Sequence, residues 1–343
     1  MSKVHVGVIG TGVMGERHCR VFAGLPNVDF VGIHDQSRER ALPIAHRYDT
    51  RFFSLLDDLL AQVDAVTIAT PTPTHAALAC AALERGVHVL VEKPMAHTLE
   101  QAEQIMAAAE RSGRIVQVGH IERFNPTYIE LQHVLADMRP LAFTMRRLSP
   151  FMQSAVDVDV VCDLMIHDLD LALDLGGDWP DRLQATGRTL HQHGADHVVA
   201  TLSFASGPMA TLLSSRITEQ KVRDIAVVAS DAYVEADLLG KTIAIHRRTT
   251  PEYLQGQSSV KYRQESLIER IVVPSSEPLL MELLHFVDAV RNERAPLVGP
   301  AEGMRALRLA LEIKDLSAQT TASSAEPLVF PREPQRARVR EAV

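Results

Sequence analysis

The stretch that most constrains this chain is VHVGVIGTGVMG, Val4 to Gly15. An apolar run stops at Gly10, glycines return at Gly12 and Gly15, and Glu16 opens a helical pattern. Strand, glycine turn and helix in that order suit a pyrophosphate. Gly10 permits the tight turn, Gly12 lets backbone approach phosphate, and Gly15 lets helix and strand pack closely, with free N–H groups at the helix start. Thr11, Val13 and Met14 fill the loop and are expected to line the same ligand. Asp35 strengthens the reading, because it follows a second apolar run, Phe30 to Ile33, and stands 20 positions beyond Gly15. A carboxylate there would accept hydrogen bonds from an adenosine ribose. It also repels a 2′-phosphate, which favours NAD over NADP, although Arg38 could accommodate that phosphate.

The first third alternates short apolar runs with helical patterns. Strands are expected at His5–Ile9, Phe30–His34, Ala65–Ala69, His88–Val91 and Ile115–Gly119, and helices at Glu16–Ala23, Arg38–His46, Thr74–Arg85 and Leu99–Ser112. That alternation makes βαβ units and a parallel, doubly wound sheet, whose ligands bind beyond the carboxyl ends of the strands. The residues just after the strands are therefore informative. Thr70, Thr72 and His75 sit in a stiff loop after the third, with Thr74 a plausible helix N-cap. Glu92, Lys93 and Pro94 follow the fourth, placing a cation at the ligand edge beside a proline that could support a cis bond.

Beyond Ile121 the pattern changes. A helix is expected at Pro126–Ala136, a strand at Leu141–Leu148 and a helix at Val160–Leu175. Consecutive strands follow from Gln184 to Val273, then two helices, Pro278–Arg291 and Ala301–Ser317, that should close the domain. Strands without intervening helices indicate a mostly antiparallel sheet. The fold class is thus α/β: a Rossmann domain over residues 1–121, an α+β domain with a large open-faced sheet over 122–320, and a flexible or subunit-wrapping tail over 321–343. An open sheet face suggests a homodimer or homotetramer.

On the expected helix Val160–Leu175, Asp163 and His167 stand at i and i+4 and share a face, with Asp170 and Asp174 extending the stripe. A buried histidine beside a carboxylate can act as a general base near neutral pH. Alcohol oxidation needs such a group: a hydride leaves for nicotinamide, a base takes the hydroxyl proton, and a cation steadies the developing alkoxide. Lys93 and His167 could supply these roles, in either assignment, across one cleft. The formal charge of −8 and the lack of a long basic run argue against nucleic acid as a partner. The three cysteines are far apart and no metal-ligand cluster is apparent, so no metal is expected. With no apolar stretch of spanning length and no signal-peptide pattern, a cytoplasmic protein is expected.

At this point the chain resembles the Gfo/Idh/MocA family of oxidoreductases, on Gly10-x-Gly12-x-x-Gly15-x-x-His18, Glu92-Lys93-Pro94 and Asp163-x-x-x-His167. The resemblance implies that Lys93, Asp163 and His167 are the catalytic set, that the Lys93–Pro94 region lies beside the nicotinamide, and that the second domain builds oligomers. A narrower resemblance rests on Gly119-His120-Ile121-Glu122-Arg123-Phe124-Asn125-Pro126, on Arg147-Leu148-Ser149-Pro150-Phe151 and on the segment from Asp159 to Asp170. These look like the branch that oxidises C3 of UDP-N-acetylglucosamine. Arg123, Asn125, Arg147 and Arg216 are the candidates for diphosphate or sugar contacts, each of which could equally be a structural ion pair. The alternatives are a free-sugar, inositol or polyol dehydrogenase of the same family, and a non-catalytic NAD-binding regulator.

Overall fold

The computed structural model describes residues 3–151, 159–190, 194–205, 207–247, 252–256, 259–263 and 267–323. The expected tail over 321–343 lies outside the described residues except for its first three, which continue the last helix. The N-terminal sheet is built from β1 (Val4–Ile9), β2 (Val28–His34), β3 (Arg51–Phe53), β4 (Ala65–Ile68), β5 (His88–Glu92) and β6 (Val116–Gly119). All pairs are parallel, in the order β3-β2-β1-β4-β5-β6. The order reverses between β1 and β4, and a crevice opens there beyond the strand ends. Between the strands lie α1 (Val13–Ala23), α2 (Arg38–Arg47), α3 (Leu56–Leu60), α4 (His75–Glu84) and α5 (Leu99–Ser112). β3 and α3 have no counterpart among the expected elements, since they are three and five residues long and too short to show a period.

The C-terminal part begins with α6 (Pro126–Leu135) and β7 (Pro140–Leu148), and α7 (Ile166–Gly176) follows. The strands β8 (Arg182–Arg188), β9 (His197–Ser203), β10 (Met209–Ser215), β11 (Val222–Ala229), β12 (Ala232–Asp237) and β13 (Thr242–Arg247) come next. A small hairpin of β14 (Glu252–Gly256) and β15 (Ser259–Arg263) precedes β16 (Leu267–Val272). The large sheet runs β16-β13-β12-β11-β7-β10-β9-β8 and is antiparallel except where β10 pairs with β7. Alternation along its strands sends Phe143, Met145, Ile225 and Val227 inward onto α6, α7 and the last helix, while Met209, Val228 and Tyr233 stay exposed on the open face.

The two closing helices, α8 (Pro278–Asn292) and α9 (Pro300–Ser323), do not both serve the second sheet. Leu279, Leu283, Phe286, Val287 and Val290 of α8 pack with Val6, Val8 and Phe22 on the face of the first sheet that α1 and α2 also cover. This corrects the expectation that α8 closes the second domain: its apolar stripe completes the first. α9 runs between the domains, with Leu307 in the core under α3, α4 and α5, and Leu309, Ala310 and Ile313 in the core of the second sheet.

Candidate active site

The glycine loop has the shape its sequence implies. Gly10 adopts φ +91, a conformation that L side chains rarely take, and a Cβ on it would lie 2.7 Å from Ala69 O. A Cβ on Gly15 would lie 1.9 Å from Gly10 O, so helix and strand pack backbone to backbone. A Cβ on Gly12 would meet nothing within 4 Å: the space above it is open, as a bound phosphate requires. A cavity of about 690 Å³ extends from Gly10 and Gly12 past Thr70 and Pro71 to Asp35 and Arg40. A second, of about 410 Å³, shares Thr70, Pro71 and Pro73 and carries the trough on to Pro94 and Cys162, next to Asp163. These residues fit a dinucleotide laid along the sheet edge.

Asp35 is wired into the loop. One carboxylate oxygen accepts from Thr11 N and Thr11 Oγ1, both at 2.7 Å, and the other from Ser37 N at 2.7 Å and Arg40 Nη2 at 3.0 Å. Burial works against ionisation, but these donors outweigh it and bring the carboxyl down to about 2. The cation at this end is thus Arg40, whose position relative to Asp35 was not singled out in the sequence. Arg38 is exposed on the same helix and does not line the cavity.

The loops after β4 and β5 are tied together by His75. Its Nδ1 lies 2.9 Å from Pro94 O and its Nε2 2.8 Å from Thr70 O, so the buried ring positions the lining rather than forming it. Thr74 turns its hydroxyl back to Pro71 O at 2.7 Å instead of capping α4, because Thr72–Thr74 form a 3-10 turn before the helix begins. Thr72 borders the second cavity. The Lys93–Pro94 bond is cis. Behind it, Glu92 Oε1 meets His18 Nε2 at 3.0 Å, joining β5 to α1. Burial raises the Glu92 carboxyl, yet the His18 contact and the Lys93 charge keep it below its usual range.

The polar stripe around α7 is divided. Asp159 Oδ1 accepts from Val161 N and Cys162 N, and Val161–Met165 form a π turn before α7 continues. The wider turn removes the simple i, i+4 overlap. Asp163 consequently faces Lys93, not His167: Lys93 Nζ donates to Asp163 O at 2.6 Å and stands 3.6 Å from its carboxylate. Asp170 and Asp174 do not extend a catalytic stripe either, since both clamp Arg123, at 2.7 and 2.5 Å. Asp168 takes Arg147 at 2.6 Å.

His167 itself is neutral at ordinary pH. Burial, then the charges of Lys93 and Arg147, push its imidazole well below its usual value. Its Nδ1 is buried without a protein partner, while the ring as a whole is only partly buried, leaving Nε2 as the atom a ligand reaches. A neutral imidazole beside an ammonium can accept a proton from a hydroxyl and steady the oxygen left behind.

The four residues expected to contact substrate all have internal partners. Arg123 holds Asp170 and Asp174. Arg147, only 1% exposed, holds Glu122 at 2.8 Å as well as Asp168. Arg216 meets Asp196 at 2.6 Å. Asn125 caps α6, accepting from Thr127 N at 3.0 Å and donating to Glu122 at 2.9 Å. Their guanidinium and amide groups are buried in the second domain's framework. Arg223 is more open, 32% exposed; it shares Glu122 with Arg147 and its charge acts on His167. Among the described residues, no group of three or more His, Cys, Asp or Glu could hold a metal ion, and no helix is long and apolar enough to cross a membrane.

Comparison with known proteins identifies the family and the fold. Residues 4–120 match the model of an oxidoreductase family with an NAD-binding Rossmann fold, and residues 130–235 match the GFO/IDH/MocA C-terminal domain. The chain belongs to the GFO/IDH/MocA family of oxidoreductases. It is 32% identical to UDP-N-acetylglucosamine 3-dehydrogenase from Acidithiobacillus ferrooxidans, over 92% of this chain and 97% of that one. The crystal structure of that enzyme superposes with a TM-score of 0.84 at 31% identity, covering 94% of this chain and all of the other (100%). Inositol 2-dehydrogenase 2 from Saccharopolyspora erythraea is 30% identical over 84% and 83% of the two chains. The fold is shared with GenD2 from gentamicin A biosynthesis, solved in complex with NAD, at a TM-score of 0.75 and 22% identity over 94% and 95%.

Proposed function

We propose that the protein oxidises a secondary alcohol of a sugar nucleotide, C3 of UDP-N-acetylglucosamine, with NAD. The observation that carries the substrate class is an excess of positive charge beside His167. Arg223 faces the buried Arg147 across β7 and β11; Glu122 and Asp168 neutralise Arg147, so Arg223, which only shares Glu122, is left with uncompensated charge. Lys221, just before β11, is exposed, and Arg223, then burial and Arg17, hold it below its usual value. A neutral polyol has no use for such a cluster, whereas a diphosphate would be held by it. The relation to the 3-dehydrogenase over nearly all of both chains supports the same choice.

In this reading NAD, when bound, accepts the hydride. His167 Nε2 takes the hydroxyl proton, Lys93 Nζ steadies the developing oxyanion, and Asp163 orients Lys93 through the contacts at 2.6 and 3.6 Å. The Asp35 carboxylate favours NAD over NADP, with Arg40 in the place that Arg38 was expected to fill. Gly10 to Gly15, with Thr11, Val13 and Met14, cradle the pyrophosphate, and Thr70, Thr72 and Glu92 border the nicotinamide half. The exposed apolar residues Met209, Val228 and Tyr233 on the open sheet face pair with a second copy, and the protein works in the cytoplasm.

The test is NADH formation with UDP-N-acetylglucosamine, UDP-glucose, glucose and myo-inositol offered separately. Turnover of the UDP-sugars alone is expected. Lys221→Glu should then raise KM for the UDP-sugar about tenfold or more, the equivalent of one charge-assisted hydrogen bond, and leave KM for NAD unchanged. Turnover of myo-inositol with none of any UDP-sugar would remove the proposed substrate.

A further inference from the structure

His120 has no role in the chemistry described so far, yet its placement is unusual. It follows β6 directly, and the register Glu92↔Gly119 sets it beside Lys93 at the carboxyl edge of the sheet. It opens the 3-10 turn Ile121–Phe124, which the Arg123–Asp170 ion pair fastens to α7, the helix that carries His167. The ring is 1% exposed, and neither of its nitrogens has a protein partner. Native proteins leave few buried polar atoms unpaired, so two on one ring, with His167 Nδ1 a third nearby, call for an explanation.

The chemistry of His167 supplies one. A neutral imidazole carries a proton on one nitrogen only. To take a proton at Nε2, His167 must carry its own on Nδ1, and a buried Nδ1–H needs an acceptor. Metal-bound and catalytic histidines commonly find that acceptor in a carboxylate. Asp163 is committed to Lys93 and Asp170 and Asp174 to Arg123; Asp168 gives Oδ1 to Arg147 and keeps a buried, unpaired Oδ2, but it is the next residue after His167 on α7, where neighbouring side chains do not face each other.

We propose that His120 is the positioning residue that accepts the Nδ1–H of His167 through one bridging water, and so holds His167 in the tautomer whose Nε2 is free to act as base. A neutral acceptor in place of a carboxylate leaves His167 without a stabilising negative charge. The groups around His120 are consistent with its staying neutral. Burial lowers its imidazole, Asp170 on α7 raises it, and Arg123 on its own turn and Lys93 at the end of β5 lower it further, with Glu92 a weaker opposing charge. The groups acting on His167 beyond burial are Lys93, Arg147, His120 and Arg223, all tending to keep it neutral.

The inference rests on His167 being the proton acceptor, so its test reads His167 itself and does not need the substrate. The full-length protein, labelled with 15N at histidine and saturated with NAD, is examined by NMR, with the His167 signals assigned by their loss in His167→Gln. The wild type should show His167 as the Nδ1–H tautomer. His120→Phe, which keeps a ring but removes the acceptor, should shift it to Nε2–H or a mixture, and His120→Gln, which restores an acceptor oxygen, should return it toward Nδ1–H. With whichever substrate turns over, His120→Phe should lower kcat about 10- to 100-fold, with KM for NAD unchanged and most of the loss recovered in His120→Gln. A wild-type His167 found as Nε2–H overturns the proposal. So does an unchanged tautomer in a folded His120→Phe protein. If the tautomer shifts as expected but Lys93 proves to be the proton acceptor, the placement of His120 stands and the proposed mechanism falls.

Discussion

Replacing Arg147 by methionine separates a framework arginine from a substrate-binding one. The side chain is fully buried, its guanidinium shared between Glu122 at 2.8 Å and Asp168 at 2.6 Å. Removing one member of a buried ion pair costs about 3–5 kcal/mol, because the partner charge is left uncompensated. Two features of this network hold the value to the lower end. Burial already raises the Asp168 carboxyl, so it can neutralise by taking a proton. Glu122 keeps Arg223 at 3.0 Å. Methionine also retains the packing of the arginine stem. The expected loss is therefore about 3 kcal/mol. Unfolding entropy is about 2.1 cal/mol/K per residue, so for 343 residues acting cooperatively the loss corresponds to a fall in Tm of roughly 4 °C. Thermal unfolding followed by circular dichroism, with KM for the UDP-sugar measured well below the transition, reads both quantities. A Tm within 1 °C of wild type together with a tenfold higher KM would refute the argument and return Arg147 to the substrate.

Three further outcomes follow from the geometry. Gly12→Ala should leave Tm unchanged, since its Cβ meets nothing within 4 Å, but should raise the Kd for NAD measured by titration calorimetry. Gly15→Ala should instead destabilise the fold by about 1–3 kcal/mol in urea, because its Cβ would sit 1.9 Å from Gly10 O. The folded-state value of His167 is depressed below the ordinary 6.5, so as pH falls below 6.5 the unfolded chain takes up a proton that the folded protein does not. Stability held above pH 6.5 is thus lost as pH drops toward the folded value, and His167→Gln should flatten that dependence in urea midpoints measured from pH 7.5 to 5.5. An equal slope in both proteins would count against a neutral His167.

The N-terminal half was legible because its signals are local. Glycines at Gly10, Gly12 and Gly15 and an aspartate at the end of the next strand are dictated by the turn and ribose chemistry they serve, and they read the same in the chain as in the fold. What was not legible depended on side-chain partners distant in sequence. Arg123 and Asp170 are 47 positions apart, and nothing in their spacing announces a pair. Part of the second domain could still have been read from strand alternation. In β7 the inward positions are Phe143, Met145 and Arg147, and in β11 Arg223 shares the face of Ile225 and Val227. A cation in an inward register must find a carboxylate, which points to a buried network before any ligand contact. The division of the acidic stripe was hidden for a different reason: a π turn leaves no periodic signature in five residues, so Asp163 and His167 looked like partners. The destination of α8 was ambiguous because an apolar stripe shows that a helix is covered, not by which sheet.

In the proposed reaction Lys93, held by Asp163, works with His167 on a hydroxyl in a cleft floored by the glycine loop. The most direct measurement is NADH formation from UDP-N-acetylglucosamine by the wild type and by Lys93→Met, with NAD binding measured in parallel. Steady turnover is expected in the wild type, a loss of about 100-fold or more in the variant, and the same Kd for NAD in both. Turnover in Lys93→Met at the wild-type rate would contradict the proposed reaction.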